Sequence, residues 1–203
     1  MEILKRVFAS LLCILSTATF AQNNLHNAFV ESYTLEANKN YEGAIASIKD
    51  ACNESCYECY YRIGWLYFSE AKYNDAAANY SKAALIMPAS IEPLLGLAAV
   101  YYKTEKWIEL ENTYLTILKI DSKNSKANYR LGLIYYYKKD YVKALQYFQV
   151  SLNLYPTDID SLIMTAWVNY YLGNISAAKI LFNKAILLQP SNESAKDGLR
   201  LVN

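Results

Sequence analysis

Three cysteines lie close together near residue 55, and they are the residues whose type and spacing most readily suggest chemistry. Cys52, Cys56 and Cys59 form a C-x3-C-x2-C pattern, and cysteine thiolates act as metal ligands, redox centres or disulfide partners. The chain contains one histidine, His26, so every scheme that needs a His–Cys pair, a Ser–His pair or several histidines around a metal is excluded. No pair of carboxylates stands out by its spacing. We therefore predict no catalytic residue and no metal site.

The cysteine pattern can be interpreted in three ways. It resembles the iron–sulfur motif of radical S-adenosylmethionine enzymes, but that motif belongs on a loop after a barrel strand, and this sequence has no strand signal there. Cys56 and Cys59 form a C-x-x-C pair at a predicted helix start, where the helix dipole lowers a thiol pKa, so a thiol oxidoreductase stays as an alternative function. The haem-attachment motif is excluded, because Tyr60 stands where that motif requires a histidine. We predict a structural disulfide between two of the three cysteines, with the pair left open, and no cofactor.

The first 21 residues have the pattern of a secretory signal peptide. Lys5 and Arg6 precede an uncharged apolar stretch over residues 7–20, and small side chains stand at −3 and −1 of a cleavage site before Gln22. The stretch is short for a membrane-spanning helix. The sequence therefore predicts an exported chain, periplasmic or secreted, with no integral membrane segment after cleavage.

Composition and charge narrow the classes of partner. Hydrophobic residues make up 54% of the chain and charged residues 19%, which is typical of a chain that folds around an apolar core. Removing residues 1–21 removes two of 20 basic and one of 19 acidic side chains, which leaves 18 of each. A neutral chain with interleaved charges has no electrostatic footprint for nucleic acid. Neutrality favours recognition through apolar surface and also permits a homo-oligomer.

The segments that must position the cysteines and any binding residues recur with a period of 34 residues from about residue 57. Within each period a small residue comes first, at Gly64, Ala98, Gly132 and Ala166. A second helix opens at Tyr73, Trp107, Tyr141 and Ile175. Its aromatic residue follows at Tyr80, Tyr114, Phe148 and Phe182. A turn follows at Pro88, Ser122, Pro156 and Pro190. Small residues allow two helices to cross closely and proline ends a helix, so the pattern predicts helical hairpins.

The pattern resembles the tetratricopeptide repeat, W-x2-L-G-x2-Y followed by A-x3-F and P. The second copy matches it at Tyr60, Ile63, Gly64, Tyr67, Ala76, Tyr80 and Pro88. The other copies depart from the pattern at Leu110, Asn128, Thr165 and Asn169. Leu110 replaces a small alanine, so we expect the two helices of the third copy to lie farther apart. The first copy is degenerate, with matched positions between Ser32 and Ala51, and stands two residues out of phase.

The resemblance implies an all-α fold, a right-handed α-solenoid of about five helical hairpins and a C-terminal capping helix. The expected organisation is a signal peptide over residues 1–21 and one repeat domain over residues 22–203. Its repeats are placed at about 25–56, 57–90, 91–124, 125–158 and 159–190, and its cap at 191–203.

The resemblance also implies a concave face, formed by fixed positions of each first helix. Those positions hold Tyr61, Trp65 and Phe68, then Leu95, Ala99 and Tyr102, then Tyr129, Leu133 and Tyr136, and finally Ile163, Trp167 and Tyr170. This wall is aromatic and suits an extended peptide or an amphipathic helix. A carboxylate clamp is not expected, because only Lys126 and Arg130 stand at suitable positions.

The expected function is a non-catalytic scaffold that binds a protein or peptide partner outside the cytoplasm. A glycan ligand, packing of the wall's rings on one another, and a self-assembling structural protein stay open.

Overall fold

A computed structural model describes residues 24–203, which form eleven helices and no strand. The described part of α1 covers residues 24–37. The others are α2 (Tyr41–Ala51), α3 (Tyr57–Ser69), α4 (Tyr73–Ile86), α5 (Glu92–Lys103), α6 (Trp107–Ile120), α7 (Ser125–Tyr137), α8 (Tyr141–Leu154), α9 (Ile159–Tyr171), α10 (Ile175–Leu188) and α11 (Glu193–Val202). The predicted signal peptide lies outside the described residues. The predicted openings of the second helices are confirmed, because α4, α6, α8 and α10 begin at those residues.

The chain divides into two compact units. The first unit ends at Thr104 and the second covers Glu105–Asn203, so α1–α5 belong to the first and α6–α11 to the second. The division falls in the turn between α5 and α6, the helices of the third copy. The wider separation that Leu110 predicts for these two helices stays a prediction.

In the first unit the Tyr80 ring fills the space where α3, α4 and α5 meet. This ring is buried. A Cβ atom added to Gly64 of α3 would lie 2.8 Å from the ring, and one added to Gly96 of α5 would lie 2.6 Å from it. Contacts of that length are sterically forbidden, so the missing side chains are what allow the ring to sit there. The predicted role of the small residue at this helix crossing is confirmed.

In the second unit, glycines likewise leave space for buried aromatic rings. A Cβ atom on Gly132 would lie 2.6 Å from the fully buried Phe148 ring, and one on Gly198 of α11 would lie 2.2 Å from the fully buried Phe182 ring. Where the sequence departs from the family pattern, the polar replacement is satisfied locally. The amide of Asn128 donates to the carbonyl oxygens of Ser122 at 3.1 Å and Asn124 at 2.9 Å.

The turn after each first helix holds one residue in the left-handed region. These residues are Lys39, Ala71, Glu105, Lys139 and Gly173, with φ between 56° and 78°. They are 32 residues apart for the first pair and 34 for the others, so the predicted two-residue phase shift of the first copy is confirmed. In four of the five turns a Schellman-type hydrogen bond reaches back into the helix, as from the Lys72 N–H to the Tyr67 carbonyl at 2.9 Å.

Candidate ligand-binding groove

The first unit contains an open groove of about 570 Å³ between the first helices of three successive copies. We call it the first-unit groove. It is lined by Phe29, Tyr33 and Glu36 of α1, by Tyr57, Glu58, Tyr61, Arg62 and Trp65 of α3, and by Glu92 of α5. Five of these nine side chains are aromatic, which makes the walls apolar, and the four charged ones decide what the walls can bind.

Helix α3 presents its aromatic wall because Tyr57, Tyr61 and Trp65 are four residues apart and therefore lie on one helix face. The Tyr57 and Tyr61 rings are stacked, with centroids 6.1 Å apart and an interplanar angle of 8°. Trp65 is 46% exposed, and Tyr33 opposite it on α1 is 57% exposed. Large aromatic surface that is ordered yet open to solvent is typical of a binding surface.

Arg62 ties α3 to α1. Its side chain is only 6% exposed, and its Nη1 forms an ion pair with Glu36 Oε2 at 2.6 Å. Its Nε donates to Ser32 Oγ at 3.3 Å, and its guanidinium carbon lies 3.8 Å from the centroid of the Tyr33 ring. Trp65 Nε1 donates to the other Glu36 oxygen at 2.7 Å. These bonds hold the two walls in place, and they neutralise the charge of Glu36, whose side chain is 23% exposed.

Glu58 and Glu92 supply the remaining charges. Glu92 Oε2 accepts a hydrogen bond of 2.8 Å from the Tyr57 hydroxyl, which also lies 2.9 Å from Ser90 Oγ. Burial raises the pKa of Tyr57, the Ser90 hydrogen bond lowers it, and the Glu92 hydrogen bond and charge raise it further. Burial, followed by the Glu92 charge, raises the pKa of Tyr61. The groove thus holds three carboxylates and one guanidinium, a net excess of two negative charges.

Of the predicted concave-face residues in this unit, Tyr61 and Trp65 line the first-unit groove. Phe68 instead packs beside Trp65 and Tyr73, with ring centroids 6.4 and 5.7 Å away. Leu95 is half-buried and Tyr102 is exposed on α5, outside the groove lining. The structure therefore brings together part of the predicted wall and adds residues from α1.

In the second unit the corresponding rings pack largely on one another and on the core. Trp167 contacts the buried Phe182 ring at 5.1 Å in an edge geometry, and its Nε1 donates to Ser194 Oγ of α11 at 2.8 Å. Ile163 is in the buried core. The other predicted residues, Tyr129, Leu133, Tyr136 and Tyr170, are half-buried. Burial raises the pKa of Tyr129 to about 12. A binding role for these residues stays a prediction.

The sequence interpretation missed the acidic residues of the groove. Glu58 and Glu92 occupy the second position of successive repeats, one of the positions that the family pattern assigns to the concave face, so a signal for them was available. Phe29, Tyr33 and Glu36 stand 32 residues before the concave-face positions of the second copy, so the two-residue phase shift of the first copy was the signal for them. The packing of α1 against α3 brings them into one groove with the α3 residues.

Cys52, Cys56 and Cys59, which we call the cysteine cluster, meet at the start of α3. The Cys59 sulfur lies within bonding distance of both other sulfurs, with Cα–Cα distances of 6.2 Å to Cys52 and 5.3 Å to Cys56. A sulfur can form only one disulfide, so two alternative pairings share Cys59. The pair that forms stays open. Among residues 24–203, these sulfurs, all within 4.8 Å of one another, are the one group of three or more metal-ligating side chains this close together, and all three are available as ligands only when no disulfide has formed.

Helical hairpins with a small residue at the helix crossing, repeated every 34 residues, define the α-helical repeat class of proteins. Profiles of the tetratricopeptide repeat match residues 57–89, 125–158 and 159–192. The chain belongs to the tetratricopeptide-repeat family. Proteins of this family bind protein or peptide partners and are generally non-catalytic scaffolds.

Solved structures of the family share this fold. A tetratricopeptide-repeat protein from Parabacteroides merdae has a TM-score of 0.74 at 21% identity, with 89% of this chain and 72% of that chain covered. YrrB, described as a TPR protein with an unusual peptide-binding site, has a TM-score of 0.69 at 18% identity, with 92% and 97% covered.

A curated relative, the uncharacterized protein ycf37 of Guillardia theta, is 35% identical over 75 residues, which are 37% of this chain. The chain spans less than half the length of the curated relatives it matches. Within residues 24–203, no helix combines the length and the apolar character needed to cross a bilayer.

Proposed function

We propose that this protein is a non-catalytic scaffold outside the cytoplasm that binds a protein or peptide partner in the first-unit groove. The observation that carries the proposal is the pair of exposed rings, Tyr33 and Trp65, that face an open groove on two different helices. Both rings are held by the Glu36–Arg62 pair between the helices. A wall that is already ordered loses little conformational entropy when a partner binds.

The shape and chemistry of the groove favour a peptide. Aromatic side chains offer large contact areas with few rotatable bonds, and tyrosine hydroxyls add hydrogen-bonding capacity. The groove crosses three helices that present side chains at regular intervals, as in proteins that bind an extended segment or a helix in a groove.

Action outside the cytoplasm is supported by the signal-peptide pattern of residues 1–21. Intact-mass measurement of the protein isolated from its own cells tests it, and we expect a chain that begins at or near Gln22. An uncleaved chain recovered from the cytosol would remove this part of the proposal.

The binding site is tested by capture from the cell envelope, identification of the partner, and titration of the purified partner against variants. Trp65→Ala should weaken binding about thirtyfold, since truncating a central aromatic anchor commonly costs about 2 kcal/mol. Tyr155→Ala is the matched control, because Tyr155 is 58% exposed and lies in the second unit, outside this groove. Equal affinities for the two variants would place the binding surface elsewhere.

A further inference from the structure

The charged side chains of the first-unit groove are an ion pair, Glu36 with Arg62, and two carboxylates, Glu58 and Glu92, that form no ion pair among residues 24–203. Glu36 and Arg62 satisfy each other at 2.6 Å, and the Arg62 side chain is 6% exposed. Its Nη2 is buried without a hydrogen-bond acceptor, and the Tyr33 ring lies against the guanidinium. Arg62 therefore presents no open donor to an anionic ligand, and its positive charge is compensated within the wall.

Glu58 and Glu92 differ from Glu36 in exposure and in ion pairing. Both residues are exposed, and within residues 24–203 neither forms an ion pair. They stand on α3 and α5, so they approach the groove from two helices. Within the described part of the chain no lysine lines the groove, and two lysines of this unit have other partners, since Lys49 Nζ donates to the Tyr67 hydroxyl at 2.9 Å and Lys82 Nζ lies over the Tyr60 ring at 5.0 Å.

The aromatic walls add a second attraction for positive charge. The face of an aromatic ring carries partial negative charge and attracts a guanidinium or an ammonium group. The groove already contains one such contact, between Arg62 and the Tyr33 ring. Further rings of α3, at Tyr57, Tyr61 and Trp65, line the same space together with the two open carboxylates.

We infer that the first-unit groove selects a lysine or arginine side chain of the bound peptide, with Glu58 and Glu92 as its counter-charges and the rings as its walls. This inference rests on the proposed function and names the chemistry of the partner. An acidic segment is disfavoured because the groove carries two uncompensated negative charges and no open cationic donor.

The test uses the purified protein and four fluorescein-labelled, amidated hexapeptide libraries. Each library fixes one central residue as lysine, arginine, norleucine or glutamate and mixes the other positions equally. We expect the lysine and arginine libraries to bind at least about tenfold more tightly than the norleucine library, because norleucine keeps the four-carbon chain of lysine without its ammonium group. The glutamate library should bind most weakly. The advantage should shrink as salt is raised, because the carboxylates are exposed.

Glu58→Gln with Glu92→Gln should remove most of the advantage of lysine over norleucine, measured as the ratio of the two affinities for the same variant. Glutamine keeps the carbonyl that accepts from Tyr57. The matched control is Asp160→Asn with Glu193→Gln, which removes the same total charge from the second unit, where Asp160 occupies the repeat position of Glu58. Glu58→Gln alone gives a milder second variant, because the Glu58 carboxylate has no ion pair among the described residues.

The outcomes separate the inference from the proposed function. Equal binding of all four libraries, abolished by Trp65→Ala, would overturn the cationic preference and leave peptide binding in the groove. Tightest binding of the glutamate library, or loss of the lysine preference in the control variant as well, would also overturn the inference. No binding of any library, with an envelope partner bound equally by Trp65→Ala, would overturn both.

Discussion

Ala71 and Gly173 occupy the same turn position of two repeats but differ in their suitability for it. Ala71 has φ of 60° and Gly173 has φ of 78°. Glycine adopts the left-handed region freely, whereas a residue with a Cβ atom is strained there. We expect Ala71→Gly to stabilise the protein and Gly173→Ala to destabilise it.

The magnitude follows from two opposing effects. The left-handed conformation costs a residue with a Cβ atom about 1–2 kcal/mol, and the greater freedom of glycine in the unfolded chain offsets about 0.4–1 kcal/mol of that. The net change is about 0.5–1 kcal/mol, positive for Ala71→Gly and negative for Gly173→Ala. Packing does not obscure it, since nothing lies within 4 Å of a Cβ atom added to Gly173 and Ala71 is exposed.

Urea denaturation followed by circular dichroism measures the effect. With a slope of about 2 kcal/mol/M, the midpoint should move by about 0.2–0.5 M in opposite directions for the two variants. Ala78→Gly, at an exposed position inside α4, is the control and should lower stability by about 1 kcal/mol. If Ala71→Gly lowered the midpoint as Ala78→Gly does, the strain argument would be refuted.

Three further predictions concern the second unit and the cysteine cluster. Gly132→Ala should destabilise the protein by about 1–3 kcal/mol in the same denaturation assay, because the added Cβ meets the buried Phe148 ring; an unchanged midpoint would contradict this. Tyr129 has a pKa of about 12 in the folded chain and about 10 when unfolded, so its contribution to stability should be complete below pH 10 and be lost as the pH rises from 10 to 12. Tyr129→Phe should reduce that loss in midpoints measured across this range. Serine at all three positions of the cysteine cluster should lower stability by a few kcal/mol at most and leave groove binding intact, whereas disulfide-reductase turnover by the unaltered protein would favour the oxidoreductase alternative.

The repeat architecture could be predicted from the sequence because its causes are local. Three features recur at one period: a small residue such as Gly64 or Gly132, an aromatic residue 16 positions later, and a turn after that. Each feature acts within a single hairpin. Helix openings such as Tyr73 and Tyr141 follow from the same period. The sequence also predicts the phase shift of the first copy, and the spacing of the left-handed turns in the structure confirms it.

The two tryptophans of the predicted wall look equivalent in the sequence, since Trp65 and Trp167 occupy the same repeat position three periods apart. The structure separates them. Trp65 is 46% exposed beside the first-unit groove, while Trp167 contacts the Phe182 ring and the capping helix. Replacing both tryptophans by alanine would remove the contact of Trp167 with the Phe182 ring as well as the exposed ring of Trp65. Trp65→Ala alone is the cleaner probe of binding, because it leaves the Phe182 contact in place.

What the sequence determined about this protein is the family, the repeat length and the class of residue at each position of a hairpin, because these depend on neighbours within one repeat. Only the tertiary structure decided which carboxylates are exposed without an ion pair. Glu36 and Glu58 are both glutamates on first helices, yet the close approach of α1 to α3 pairs Glu36 with Arg62 and leaves Glu58 exposed. The net charge of a groove depends on such pairings between side chains far apart in the chain, and a periodic pattern carries no information about them.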